Sequence, residues 1–138
     1  MQDTIVAEHN GYQKLGLTHR RHLVFDKKSG QITVTDTLTS KSAQEYTLEF
    51  PLHLHPEVQI KDNGDNQFHL QRPLARTLEV QFDAALQVQE VRGQTEPFLG
   101  WYSPSFRIKE PTSVLYGKMT FSGKLILTTQ LLVKGWTK

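Results

Sequence analysis

The chain has 138 residues, 37% hydrophobic and 22% charged, with 9 Gly and 6 Pro, which suits one ordered domain with a real core and argues against disorder. It has no cysteine, so disulfides, thiolate catalysis and thiolate metal sites are excluded. A net charge of +2 singles out no nucleic-acid partner, no apolar run approaches the roughly 18 residues of a membrane helix, and Met1-Gln2-Asp3-Thr4 lacks the basic opening of a signal peptide.

The first dense stretch runs from Glu8-His9-Asn10-Gly11-Tyr12 to His19-Arg20-Arg21-His22. It places three of the six histidines and two adjacent arginines within fifteen residues. Leu23 to Phe25 read as a strand, and Lys28-Ser29-Gly30 as the turn after it. Ile32, Val34 and Leu38 alternate with Thr33, Thr35 and Thr37, the pattern of a second strand. Asp36 sits on the apolar parity of that strand, where a buried carboxylate needs a partner, and Arg21 is the expected one. Tyr46, Leu48, Phe50, Leu52 and Leu54 alternate with Glu45, Thr47, Glu49, Pro51 and His53, which predicts a strand with one buried face.

Asp62-Asn63-Gly64-Asp65 is a turn signal, because Asn and Gly tolerate positive φ. Leu70 to Arg76 is the loosest segment. Further strands are expected at Leu78 to Phe82, from Leu86, over Val114 to Phe121 and over Lys124 to Val133, with Ser122-Gly123 joining the last two tightly. The final strand is apolar on both parities, which predicts a central position or cover on both sides. No helix-length window carries an apolar stripe of period 3.6, and no internal repeat or linker is present. Roughly ten or more short strands at this spacing predict an all-β, antiparallel two-sheet β-sandwich, as a single domain over residues 1–138.

Several groups could bind or react. His9 and Tyr12 have the ingredients for proton abstraction and donation, with His19 as a further candidate; equally, a Tyr in a strand packs, and Gly11 marks a bulge or close backbone approach. Arg20 and Arg21, adjacent in a strand, point to opposite faces, so one can meet an anionic ligand while the other forms a structural ion pair. Trp101 and Tyr102 offer apolar faces for a sugar ring or a packing anchor. His53 and His55 share a strand face and could begin a zinc site with Glu57, although Pro56 ends the strand and no spacing assigns a third ligand. Ser103 and Ser105 have neither an acid partner nor a glycine elbow.

His9-Asn10-Gly11-Tyr12 with Leu15, His19-Arg20-Arg21, Val34-Thr35-Asp36, Phe50-Pro51-Leu52-His53-Leu54-His55-Pro56, Gly100-Trp101-Tyr102-Ser103-Pro104-Ser105-Phe106 and Leu127-Thr128-Thr129 occur in this order. Together they resemble the C-terminal β-sandwich portion of the heparinase II/III-like family of bacterial polysaccharide lyases. The resemblance implies an N-terminal α-helical toroid domain as partner, supplying much of the catalytic cleft. It implies an anionic polysaccharide containing uronic acid, of heparin/heparan sulfate or alginate type, and a periplasmic or secreted parent protein. It also implies a structural zinc or calcium in the parent, but no cofactor within this chain. The metal-bearing Asp-x-Gly-x-Phe segment has no equivalent here, since Asp62-Asn63-Gly64-Asp65 does not match it. His9, Tyr12, His19 and Arg21 match family motif positions and are expected to organise the sandwich and its contact with the toroid. The chain alone is expected to be inactive, as an accessory domain. The alternatives are an autonomous module for anionic glycans and a purely structural or interaction sandwich.

Overall fold

In the computed structural model, which describes residues 1–137, the period-two patterns form antiparallel strands. In chain order these are β1 (Gln2–His9), β2 (Leu17–Asp26), β3 (Gln31–Ser40), β4 (Glu45–His53), β5 (Gln59–Asp62), β6 (Gln67–Gln71), β7 (Leu78–Gln81) and β8 (Gln87–Arg92). Four two-residue strands follow: β9 (Gln94–Thr95), β10 (Phe98–Leu99), β11 (Trp101–Tyr102) and β12 (Glu110–Pro111). Two long strands, β13 (Ser113–Ser122) and β14 (Lys124–Val133), come last. The only helical turn among the described residues is the 3-10 segment Gln13–Leu15.

Seven strands form a large sheet in the order β1-β2-β3-β14-β7-β6-β5, and three form a small sheet, β4-β13-β8. The small sheet lies on one face of the large one. Between them Phe68, Leu70, Val80, Phe82, Leu86, Leu115 and Leu127 make the buried cluster. From β4, Tyr46 is buried and Leu48, Phe50 and Leu52 turn partly inward, while Glu45, Thr47, Glu49, Pro51 and His53 are exposed. Phe82 anchors the middle, edge-on to Phe50 at 6.0 Å and to Phe68 at 5.9 Å between ring centroids.

β14 takes the central place in the large sheet, flanked by β3 and β7. Its inward Leu127 is 1% exposed, whereas Ile126 on the outer face is 53% exposed. Both parities are therefore apolar in a strand covered on one face only. Ser122-Gly123 joins the last two strands tightly, as expected, and the joint is a corner between sheets, because β13 pairs with β4 and β8 while β14 pairs with β3 and β7. Gly123, at φ 67°, turns the chain from one sheet into the other.

Residues 93–112 leave the small sheet as a compact excursion closed at a narrow neck. The Gly93 and Thr112 N–H groups both donate to the Gly100 carbonyl, at 2.9 and 2.8 Å. Gly100 has φ 81°, and a Cβ there would lie 2.8 Å from the Gly93 nitrogen and 2.9 Å from the Thr112 carbonyl oxygen. Only glycine fits that crossing. The Thr112 hydroxyl donates to the Leu54 carbonyl and ties the neck to the end of β4. At the other edge of the fold, β1 and part of β2 extend past the small sheet, and Ile5 on β1 remains 61% exposed.

Candidate functional site

The β1–β2 hairpin builds the opening site. Its register sets His9 opposite His19 and Ala7 opposite Arg21, and β2 pairs with β3 so that Arg21 lies opposite Asp36. Alternation then puts His9, His19, Arg21 and Asp36 on one face. Tyr12 is not in a strand as expected. It precedes the 3-10 turn, because Asn10-Gly11 ends β1 and the chain reverses there. Gly11 is likewise a turn residue rather than a bulge. A Cβ on it would approach His9 Nδ1 at 3.1 Å, so the close approach is to a side chain.

A directed hydrogen-bond chain links these groups. The Gly11 N–H donates to His9 Nδ1 at 3.1 Å, which leaves the neutral His9 proton on Nε2. That nitrogen donates to His19 Nδ1 at 3.1 Å. His19 in turn donates from Nε2 to Asp36 Oδ1 at 2.7 Å. Arg21 closes the array with Nε on Oδ1 at 2.7 Å and Nη2 on Oδ2 at 2.9 Å. One backbone N–H thus fixes both histidine tautomers, and Asp36 accepts three charge-assisted or polar bonds at 2% exposure. The Asp36 carboxylate holds the Arg21 guanidinium above its ordinary pKa, chiefly through these hydrogen bonds.

The array opens onto a cleft of about 610 Å³ between the β2–β3 face and β4. Tyr12, Leu15, Leu48, Phe50 and Phe121 supply much of its wall, and the Arg21 guanidinium lies 5.8 Å from the centre of the Phe50 ring. Tyr12 is 46% exposed, with its ring 5.2 Å from that of His9. The Tyr46 hydroxyl, donating to the Leu15 carbonyl at 2.8 Å, fastens the turn to β4. Chemically the array is built to hold geometry. Neither nitrogen of His9 or His19 is left without a partner, so neither imidazole has an uncommitted lone pair for a substrate proton.

Arg20 points to the opposite face of the large sheet. There it borders a second, smaller hollow of about 290 Å³ with Val6, His22, Thr35, Thr37 and Lys124. Lys124 was invisible as a partner in the sequence, because only the β3–β14 pairing brings it near Arg20.

Trp101 and Tyr102 lie far from both hollows, beside the excursion at the His53 end of β4. The Trp101 indole N–H donates to the Gln94 carbonyl at 2.8 Å. Its ring stacks on Phe98 at 5.7 Å and 12°, and Lys109 Nζ sits 4.2 Å from its centroid. Trp101 is therefore a packing anchor within the excursion. The exposed aromatics there are Tyr102, at 36%, Phe98, at 62%, and Phe106, at 85%, and of these only Phe98 went unmarked in the sequence. Tyr102 packs against His55 at 5.4 Å. The four binding candidates Arg20, Arg21, Trp101 and Tyr102 thus occupy three separate places.

His53 ends β4 exposed, and His55 lies beyond the strand, with Nδ1 3.8 Å from Glu57. Among the described residues no three His, Asp or Glu side chains converge on a metal position. The donor set at His53 and His55 does not fit a structural zinc or calcium.

A family model described as heparinase II/III-like, C-terminal, matches residues 2–133. The structure of heparan sulfate lyase HepC from Pedobacter heparinus aligns over 99% of this chain and 21% of that one, with TM-score 0.77 and 14% identity. A mutant of the same lyase aligns with TM-score 0.76 and 15% identity, over 99% of this chain and 21% of that one. A heparinase III structure aligns over 96% of this chain and 19% of that one, with TM-score 0.74 and 18% identity. No curated protein sequence matches. The chain spans about one fifth of the solved structures it resembles, and at these identities the likeness is one of fold. Since the family match runs from the first residue of β1 to the last of β14, the chain belongs to the heparinase II/III-like C-terminal domain family.

Proposed function

We propose that this chain is an accessory β-sandwich portion of a polysaccharide lyase that cleaves uronic-acid-containing anionic polysaccharide by β-elimination. Its partner is an N-terminal α-helical toroid domain of the same protein, which supplies the reacting groups. The observation that carries this reading is the family match over residues 2–133, in a chain spanning about one fifth of heparan sulfate lyase structures. Those lyases make heparan sulfate the first substrate to test, ahead of alginate. The parent is placed in the periplasm or outside the cell, with any structural zinc or calcium held by residues outside this chain.

β-Elimination needs a base for the C5 proton, an acid for the leaving oxygen and neutralisation of the uronate carboxylate. His9 and His19 spend their ring nitrogens on Gly11, each other and Asp36, and Arg21 spends two donors on Asp36. These contacts support a positioning role, fixing the β1–β2 hairpin against β3. The Tyr12 hydroxyl, on a half-exposed side chain that lines the cleft, stands outside this chain of bonds.

The test is a lyase assay that follows the ultraviolet absorbance of the unsaturated uronate product. The 138-residue chain and the protein extended by its upstream coding sequence are each given heparan sulfate and alginate. The chain alone is expected to be silent and the extended protein active, with Tyr12→Phe leaving its rate unchanged. Turnover by the chain alone that disappears in Tyr12→Phe would refute the accessory role. An extended protein silent on both polymers would refute the lyase assignment.

A further inference from the structure

The outer face of the large sheet carries a feature that the cleft does not. In register, Val6, His22 and Thr35 form one cross-strand row, and Arg20 and Thr37 belong to the next. Lys124, opposite Thr39 on β14, closes the hollow from the far side. Neighbours in such rows lie about 4.5–5.5 Å apart at Cβ, which gathers a cationic fork, an imidazole and two hydroxyls around one small volume, and the Lys124 side chain lines the same hollow from the following row. Among the described residues, no carboxylate lies within 4.0 Å of a side-chain nitrogen of Arg20, His22 or Lys124. Glu8 is the register partner of Arg20 yet makes no ion pair with it. Arg21, by contrast, is already neutralised by Asp36.

From this we infer that the hollow bounded by Arg20, His22, Thr35, Thr37 and Lys124 binds a sulfate or carboxylate group carried on an anionic oligosaccharide. The Arg20 guanidinium matches two oxygens of such a group in a planar fork, and Lys124 adds a mobile point charge. The Thr35 and Thr37 hydroxyls donate to the remaining oxygens, and Val6 gives an apolar wall for the sugar ring. Thr33, Thr35, Thr37 and Thr39 continue the row of hydroxyls along β3, so the hollow sits on an open track suited to a polymer rather than in a closed anion pocket. The inference deepens the lyase reading by giving the accessory domain a substrate contact, and it rests on that reading for the class of ligand.

The test is titration of the 138-residue chain with a heparan sulfate hexasaccharide, followed by calorimetry and by backbone amide shifts. Shifts are expected at residues 20–22, 35–37 and 124–126. Arg20→Gln and Lys124→Gln should each weaken binding about fivefold, the size of one partly exposed charge contact, and the double variant about 25-fold. A control pair, Lys61→Gln on β5 at the far edge of the large sheet with Lys118→Gln on β13 of the small sheet, removes the same charge away from the hollow and should change affinity less than about twofold. Equal losses in the control would overturn the inference, as would hexasaccharide binding unaffected by Arg20→Gln and Lys124→Gln. Full displacement of the hexasaccharide by inorganic sulfate at equal concentration would also overturn it, making the hollow a free-anion site. The lyase assay fails independently: hexasaccharide binding lost in the double variant, beside an inactive extended protein, would refute the lyase assignment and leave the binding site standing.

Discussion

Asp36 and Arg21 form an ion pair whose two halves differ in burial, so removing one half should not equal removing the other. The Asp36 side chain is 3% exposed and that of Arg21 is 46% exposed. Arg21→Gln strands a carboxylate with one remaining strong partner, His19, in a dry site; breaking a buried pair from this side costs about 3–5 kcal/mol. Asp36→Asn strands a guanidinium already half in water, so solvent screening cuts the loss to about 2 kcal/mol, most of it from an amide NH2 that must face a donor on Arg21 or His19. Urea unfolding followed by tryptophan fluorescence reads the difference. With a slope of about 1.5 kcal/mol/M, the midpoint should fall by about 1.3 M for Asp36→Asn and by about 2 M or more for Arg21→Gln. A third variant, Arg21→Met with Asp36→Leu and His19→Leu, replaces the pair and its remaining donor by apolar groups and should recover part of the loss. Midpoints for the two single variants that agree within about 0.3 M, or that are reversed in order, would refute the argument from burial.

Three further outcomes follow from the same structure. Gly100→Ala should destabilise by about 2 kcal/mol or more, because it adds left-handed backbone strain to a clash at the neck of the excursion, and thermal unfolding checks it. Leu115→Ala, at a position 0% exposed between the sheets, should cost about 2–5 kcal/mol in the same measurement. Burial first, and Glu49 second, push the Tyr116 hydroxyl up to about 12. Its proton is then held more tightly in the folded state than at the usual value of about 10, so stability falls as pH rises from about 10 to 12 and is unaffected by this group below that window. Tyr116→Phe should remove that part of the alkaline loss.

Alternation made most of the fold legible before any coordinates. The buried parity of β4 follows from which side chains avoid water and the turn at Lys28-Ser29-Gly30 from a glycine free to take positive φ, while the central place of β14 was expected from two apolar parities, only one of which is covered. The Arg21–Asp36 pair was legible too, because a carboxylate on an apolar parity needs a cation and an arginine such as Arg21 matches its two oxygens. Strand pairing was not legible. Ser122-Gly123 has the length of a hairpin turn, and nothing local distinguishes a reversal within one sheet from a corner between two. Tyr12 was misplaced for a related reason, since Asn10-Gly11 can act either as a bulge within a strand or as its end. The partnership of Arg20 with Lys124 was hidden by sequence distance, and the role of Trp101 by Phe98 and Lys109, whose approach depends on the fold of the excursion.

The corner at Gly123 has a kinetic consequence. β13 and β14 are the middle strands of their respective sheets, and they are consecutive in the chain. During synthesis every strand they join emerges before them. The β1–β2–β3 meander and the β5–β6–β7 group can form while nascent, but the exposed edges of β3, β4, β7 and β8 have no partner until the last two strands arrive. The small sheet can close once β13 has emerged, but the large one must wait for β14 with bare edges at β3 and β7 that invite pairing with a neighbouring chain. The segment from β13 to β14 therefore acts as the zipper for the whole sandwich, and a ribosome that stalls before Gly123 releases a chain whose large sheet stays split in two.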